Sequence, residues 1–143
     1  MRRHLTFLIV LIFALLMSAC LPGGEISVID AWARPANKGD NSAIYFKINN
    51  PGPAIDALIE AQTEVAAQTE LHKSEMDNQG VMSMHPQHQI ELPPDSQVEF
   101  TPGGYHVMLV DLQQDLKVGD TVELTLRFQN FGEIILDVPV KQP

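Results

Sequence analysis

Eight side chains set the chemistry of this 143-residue chain. His72, His85, His88 and His106, with Met76, Met82, Met84 and Met108, all fall between positions 72 and 108. The other histidine and the other two methionines, His4, Met1 and Met17, belong to the first twenty residues. Methionines used as flexible core filler would be spread over every apolar segment. Here the apolar segments before position 72 and after position 108 hold none, apart from the N-terminal run. Thioether sulfur is soft and uncharged and prefers Cu(I), a preference that imidazole tolerates well. Hard cations such as Mg²⁺ and Ca²⁺ want oxygen, and zinc takes Cys, His or carboxylate. The set therefore reads as a candidate Cu(I) site.

Short strands must position these residues. Candidates are Ile26–Arg34, Ser42–Asn49, Ala54–Ala61, Ala66–Ser74, Val81–His85, Gln87–Leu92, Gln97–Thr101, Tyr105–Leu112, Thr121–Gln129 and Gly132–Val140. Breakers such as Pro51-Gly52-Pro53, Asn78-Gln79-Gly80, Pro93-Pro94 and Gly103-Gly104 separate them. Val122, Leu124, Leu126 and Phe128 alternate with polar residues, the mark of a half-buried strand. The spacing is that of an all-β sandwich in a single domain. Ala57–Ala67 could hold a short helix, with a strand the preferred reading.

On a strand, side chains two apart share a face. His106 and Met108 are so related, and Gly103-Gly104 before them supplies a turn that brings this strand end to the surface. Met82 and Met84 have the same relation. Each feature also has a plain structural reading. Met108 lies in an apolar run that could be core. Met82, His85 and His88 could be an accessory metal site or transfer path, or simply a solvated loop. Met76 could be a spare ligand or packing, and Trp32 reads as a core anchor.

Cys20 is the only cysteine, so the domain that follows has neither a disulfide nor a thiolate ligand. Zinc fingers, iron–sulfur clusters, CxxC redox chemistry and blue-copper electron transfer are thereby excluded. A methionine–histidine set also escapes the oxidation that a cysteine pair would undergo outside the cytoplasm. Residues 1–19 read as a signal peptide: a basic start, an apolar run from Leu5 to Met17, then Ser18-Ala19 before Cys20. Small residues before a cysteine resemble a lipobox, with Met17 where leucine is usual. Cys20 would then carry lipid and residues 20–25 would form a short linker to a domain over 26–143. Ordinary signal cleavage is the other reading. Net charge is −9, which a nucleic-acid backbone would repel. No nucleophile–base pair and no phosphate-cradling glycine loop is present, so the chain does not read as an enzyme.

Asp30-Ala31-Trp32-Ala33-Arg34-Pro35, Glu70-Leu71-His72 and Pro102-Gly103-Gly104-Tyr105-His106-Val107-Met108-Leu109 resemble the periplasmic copper chaperones called PCu(A)C, or PCuAC. The family motif is a histidine, often followed by methionine, then ten residues, a methionine, twenty-one residues and His-x-Met. Here ten residues run from Ser74 to Ser83, Met84 follows, and twenty-one residues run from His85 to Tyr105 before His106-Val107-Met108. Lys73 stands where methionine is common. The resemblance covers about Ile26 to Val140. It implies a cupredoxin-like Greek-key β-sandwich, with one Cu(I) held by His72, Met84, His106 and Met108 near one end. Met76, Met82, His85 and His88 remain candidate accessory ligands.

With the signal and lipobox readings, the expected protein is an extracytoplasmic, lipid-anchored monomer, and the recipient follows from the family analogy. The protein would deliver copper to the binuclear copper site of a cytochrome c oxidase subunit, with a Sco-type chaperone as a further partner. A copper-buffering or resistance lipoprotein without a dedicated acceptor, or a metal-free structural sandwich, are the alternatives.

Overall fold

A computed structural model describes residues 24–142. The segment read as a signal peptide, Cys20 and the first part of the expected linker lie outside the described residues. Ten strands follow in order: β1 (Ser27–Ala33), β2 (Ser42–Asn50), β3 (Asp56–Gln62), β4 (Ala66–Met76), β5 (Met82–Pro86), β6 (Ile90–Leu92), β7 (Ser96–Phe100), β8 (Tyr105–Leu112), β9 (Thr121–Phe128) and β10 (Glu133–Pro139). There is no helix among the described residues, including the stretch from Ala57 to Ala67.

The strands form two sheets, ordered β1-β2-β7-β8-β4-β5 and β10-β9-β3-β6. Their facing sides make the core of the sandwich. Ile44, Phe46 and Ile48 of β2 and Val107 and Leu109 of β8 meet Leu58 of β3 and Leu124, Leu126 and Phe128 of β9. The Phe46 and Phe100 rings stack with centroids 4.3 Å apart. Such burial is worth about 1.5–3 kcal/mol per large side chain. The buried Asp56 carboxylate accepts N–H groups from Ala57, Asn130 and Phe131 at 2.7–3.0 Å, which fastens the end of β9 to the start of β3.

Because alternate residues point to opposite sides, the same strands that fill the core present a second set of side chains outward. β2 turns Ala43 and Tyr45 outward, and β8 turns His106 and Met108. The β4–β5 hairpin runs past the cover of the second sheet, and all five residues of β5 are exposed.

Trp32 is not a core anchor. Val28 lies opposite buried Ile48, so an unbroken β1 would send Trp32 inward as well. A bulge between Ile29 and Trp32, with Asp30 at φ 57°, adds one residue and reverses the side. Ala33 takes the core position, and Trp32 pairs with Tyr45 on the outer face. Asp30 suits the bulge because Asp tolerates the left-handed region, and its carboxylate receives the Lys47 ammonium at 3.0 Å.

Candidate metal centre

Three strands bring the histidines and methionines together. His72 of β4 lies directly opposite His106 of β8. The two imidazole rings are 5.7 Å apart between centroids, edge to face. Met84 of β5 is opposite Ser74, two residues along β4 from His72. Met108 is opposite Glu70, two residues the other way. All four candidate ligands therefore share the outer face of the six-stranded sheet. The histidines are nearest neighbours, and the methionines occupy diagonal positions about 7–8 Å away, a gap that long side chains can cross.

A cleft of about 250 Å³ opens here, and Met82, Met84, His106 and Met108 are among its lining residues. His72 adjoins it through the His106 ring. The site is thus on the outer face of the six-stranded sheet, beside the turn that starts β8. Met108 belongs to this face and not to the core.

Local hydrogen bonds fix which ring nitrogens are free. Gly103 adopts φ 84°, a left-handed conformation that glycine reaches without strain. This turn places the Gly104 carbonyl where it accepts two donors: the Ser74 N–H at 3.0 Å and His106 Nδ1–H at 3.1 Å. A carbonyl can only accept, so His106 keeps its lone pair on Nε2. His72 Nε2 donates to a Glu70 carboxylate oxygen at 2.7 Å, leaving Nδ1 as the free nitrogen. His72 Nδ1 is buried and has no hydrogen-bond partner. Such orphaned atoms are uncommon and costly, and a bound metal would relieve this one. A carboxylate behind a ligand histidine is the usual device for fixing tautomer and ring orientation. Glu70 is the residue whose role the sequence reading missed. Its signal was the Glu70-Leu71-His72 spacing, which puts both side chains on one face.

Burial lowers the pKa of His106 below the ordinary histidine value; the hydrogen bond to Gly104 opposes this, and His72 lowers it further. The ring is neutral at neutral pH, as a metal ligand must be. Behind it lies an aromatic column: Tyr45 is 6.3 Å from His106 and Trp32 is 4.7 Å from Tyr45, between centroids.

Among the described residues no three His, Cys, Asp or Glu side chains converge so as to hold a metal ion. A second, larger groove of about 770 Å³ carries Glu60, Glu64, Glu70 and Glu123 but neither imidazole nor thioether. The donors flanking the histidine pair on the two neighbouring diagonals are the thioethers of Met84 and Met108. The other candidates separate by face. Met76 and Met82 lie opposite each other on the side of Met84, exposed rather than packed. They and His85 belong to a paired hairpin and not to a loop. Parity puts His85 on the reverse side, where its Nε2 lies 3.1 Å from Ser83 Oγ. His88 is exposed in the bend after β5.

Known proteins resemble this chain in sequence and in fold. The LpqE-like family model matches residues 26–140. Lxx21020 of Leifsonia xyli subsp. xyli (strain CTCB07), named as a lipoprotein, is 28% identical over 127 residues, covering 87% of this chain and 76% of its own. The copper-bound PCuAC domain from PmoF2 superposes with a TM-score of 0.70 and 30% identity, over 85% of this chain and 96% of that domain. The solution structure of CuI-DR1885 from Deinococcus radiodurans gives 0.58 and 26%, over 87% and 82%. A matching model over most of the chain and shared architecture across whole PCuAC domains lead to one conclusion: this chain belongs to the PCuAC family and has its cupredoxin-like fold.

Proposed function

We propose that the domain is an extracytoplasmic metallochaperone and not an enzyme, taking one Cu(I) as cargo with His72, Met84, His106 and Met108. The observation that carries this reading is the cross-strand histidine pair. It has an orphaned, buried His72 Nδ1 and is flanked on the same face by two thioethers. Copper-bound relatives of the same fold support it. The chain's own residues do four things in this reading. Glu70 orients His72, Gly104 orients His106, burial keeps His106 neutral, and the methionines supply soft, uncharged donors.

Residues 1–19 are proposed as a lipoprotein signal and Cys20 as the lipidated residue, followed by a linker to the domain over 26–143. The lipoprotein name of a relative supports this. Five extended residues, Leu21 to Glu25, reach about 17 Å, which would hold a monomeric domain close to the membrane. The recipient we propose is the copper subunit of cytochrome c oxidase, with a Sco-type chaperone as second partner. X-ray absorption on the Cu(I)-loaded protein tests the site: mixed sulfur and nitrogen scattering is expected, and a shell of nitrogen and oxygen alone would overturn it. Oxidase copper content in a deletion strain grown with scarce copper tests the recipient; normal loading would remove it.

A further inference from the structure

The β4–β5 hairpin carries a second group of soft donors. Met76 and Met82 are direct cross-strand partners at its tip, and Met84 follows Met82 on the same face. They are 65%, 46% and 55% exposed, so their thioethers gain little from burial and remain open to solutes. The pairing is held by a built turn. The Asp77 carboxylate accepts N–H groups from Gln79 and Val81 at 2.8 and 2.9 Å, and the Asp77 N–H donates to Val81 O at 3.0 Å. The harder groups of the hairpin lie on its reverse face: Lys73 bonds Glu75 at 2.7 Å, and His85 sits against Ser83. The face that bears the methionines offers sulfur and the buried Ser74 hydroxyl. Oxygen-seeking cations find no charged ligand there, whereas a soft monovalent ion finds three thioethers.

We propose that Met76, Met82 and Met84 form a loading site for Cu(I), distinct from the histidine pair, and that Met84 hands the ion from one to the other. This rests on the Cu(I) reading of the main site. His106 is buried, at 4% exposure, and a bulky Cu(I) complex cannot approach it directly. The hairpin tip can be approached from either side. Met84 stands opposite Ser74, between the Met76–Met82 pair and the position of His72. Transfer is ligand exchange alone: a Cu–thioether bond breaks as a Cu–imidazole bond forms on a nitrogen that already holds a lone pair. No electron or proton moves.

The test compares the full chain, purified in detergent, with its Met76→Leu variant. Leucine keeps the volume at an exposed position outside the histidine cleft and removes the sulfur. Both proteins take Cu(I) from its coloured bicinchoninate complex in stopped flow. The variant should load about tenfold more slowly or worse, as loss of one soft contact on the route implies, and should reach the same final affinity. Ag(I) added beyond one equivalent should shift the Met76 and Met82 ε-methyl NMR signals of the unmodified protein. Equal loading rates would overturn the loading site, as would a matching fall in final affinity, which would make Met76 part of the main site. A chain that takes up no Cu(I) at all would sink the preceding function together with this inference. One tight ion loaded equally fast by both proteins would sink this inference alone.

Discussion

Two hairpins, β9–β10 and β4–β5, use apolar side chains in opposite ways. In β9–β10, Val122, Leu124, Leu126 and Phe128 are between 0 and 2% exposed and fill the sandwich. In β4–β5, Met76, Met82 and Met84 stand in water. Both hairpins follow the same two-residue alternation, so local geometry does not distinguish them. The difference is the face: β9–β10 turns these residues inward against the six-stranded sheet, whereas β4–β5 turns its methionines to the outer face. Apolar atoms in the first hairpin hold the fold together. Those in the second contribute little stability where they are, and their sulfur chemistry gives the simplest account of their placement.

The sharpest way to break this comparison is truncation. Leu124→Ala should lower unfolding free energy by about 2–5 kcal/mol, since it leaves a cavity in the core. Met84→Ala should move stability by no more than about 0.5 kcal/mol, as surface changes do, while weakening Cu(I) binding. Chemical denaturation of the two variants decides it. Equal costs would mean that the β4–β5 face is packed in solution.

A smaller effect is expected behind the site. Glu70→Ala should weaken Cu(I) binding about 10–100-fold, the usual result of losing the carboxylate that orients a ligand histidine. Glu70→Gln should lose less, because its amide oxygen can still accept from His72 Nε2–H. Competition against a Cu(I) chelator measures both. Identical losses would show that charge matters here and orientation does not.

The smallest effect concerns protons. Burial lowers the folded-state pKa of His106, so the unfolded chain binds a proton more readily. Stability from this residue is therefore fully present above about pH 6.5 and is lost as pH falls through the lowered folded value. Denaturation midpoints of the apo protein at pH 7.5 and pH 5, compared with a His106→Gln variant, isolate the contribution. The same pH dependence in both would assign the effect to other groups.

Nearly all strands were legible in the sequence, because proline, glycine and asparagine clusters separate runs of β-forming residues. Ser42, Tyr105 and Thr121 begin strands where the pattern placed them. The same legibility extends to the parity of His106 and Met108, which follows from position alone. Trp32 was misread because a single bulge at Asp30 reverses its face, and no residue pattern announces a bulge. Met82 and His85 look like loop residues by polarity, yet β4 extends beyond the sandwich and pairs with them. Which residues a second sheet leaves uncovered depends on relative strand lengths in two layers, and a linear pattern does not carry that. Glu70 was in view as part of a motif, but its hydrogen bond to His72 is a matter of side-chain rotamers.

The bulge at Asp30 has an optical consequence. By turning the chain's one tryptophan outward, it sets Trp32 at a tilt against Tyr45, which in turn borders His106. A core tryptophan would report folding; this one reports its neighbour. Any change in charge or occupancy at the imidazole alters the field across both rings, so the protein's own ultraviolet emission should follow Cu(I) titration with the midpoint of binding. A flat emission trace at full loading would show the column to be insulated from the site. Otherwise, the domain carries an unlabelled light meter for its own cargo.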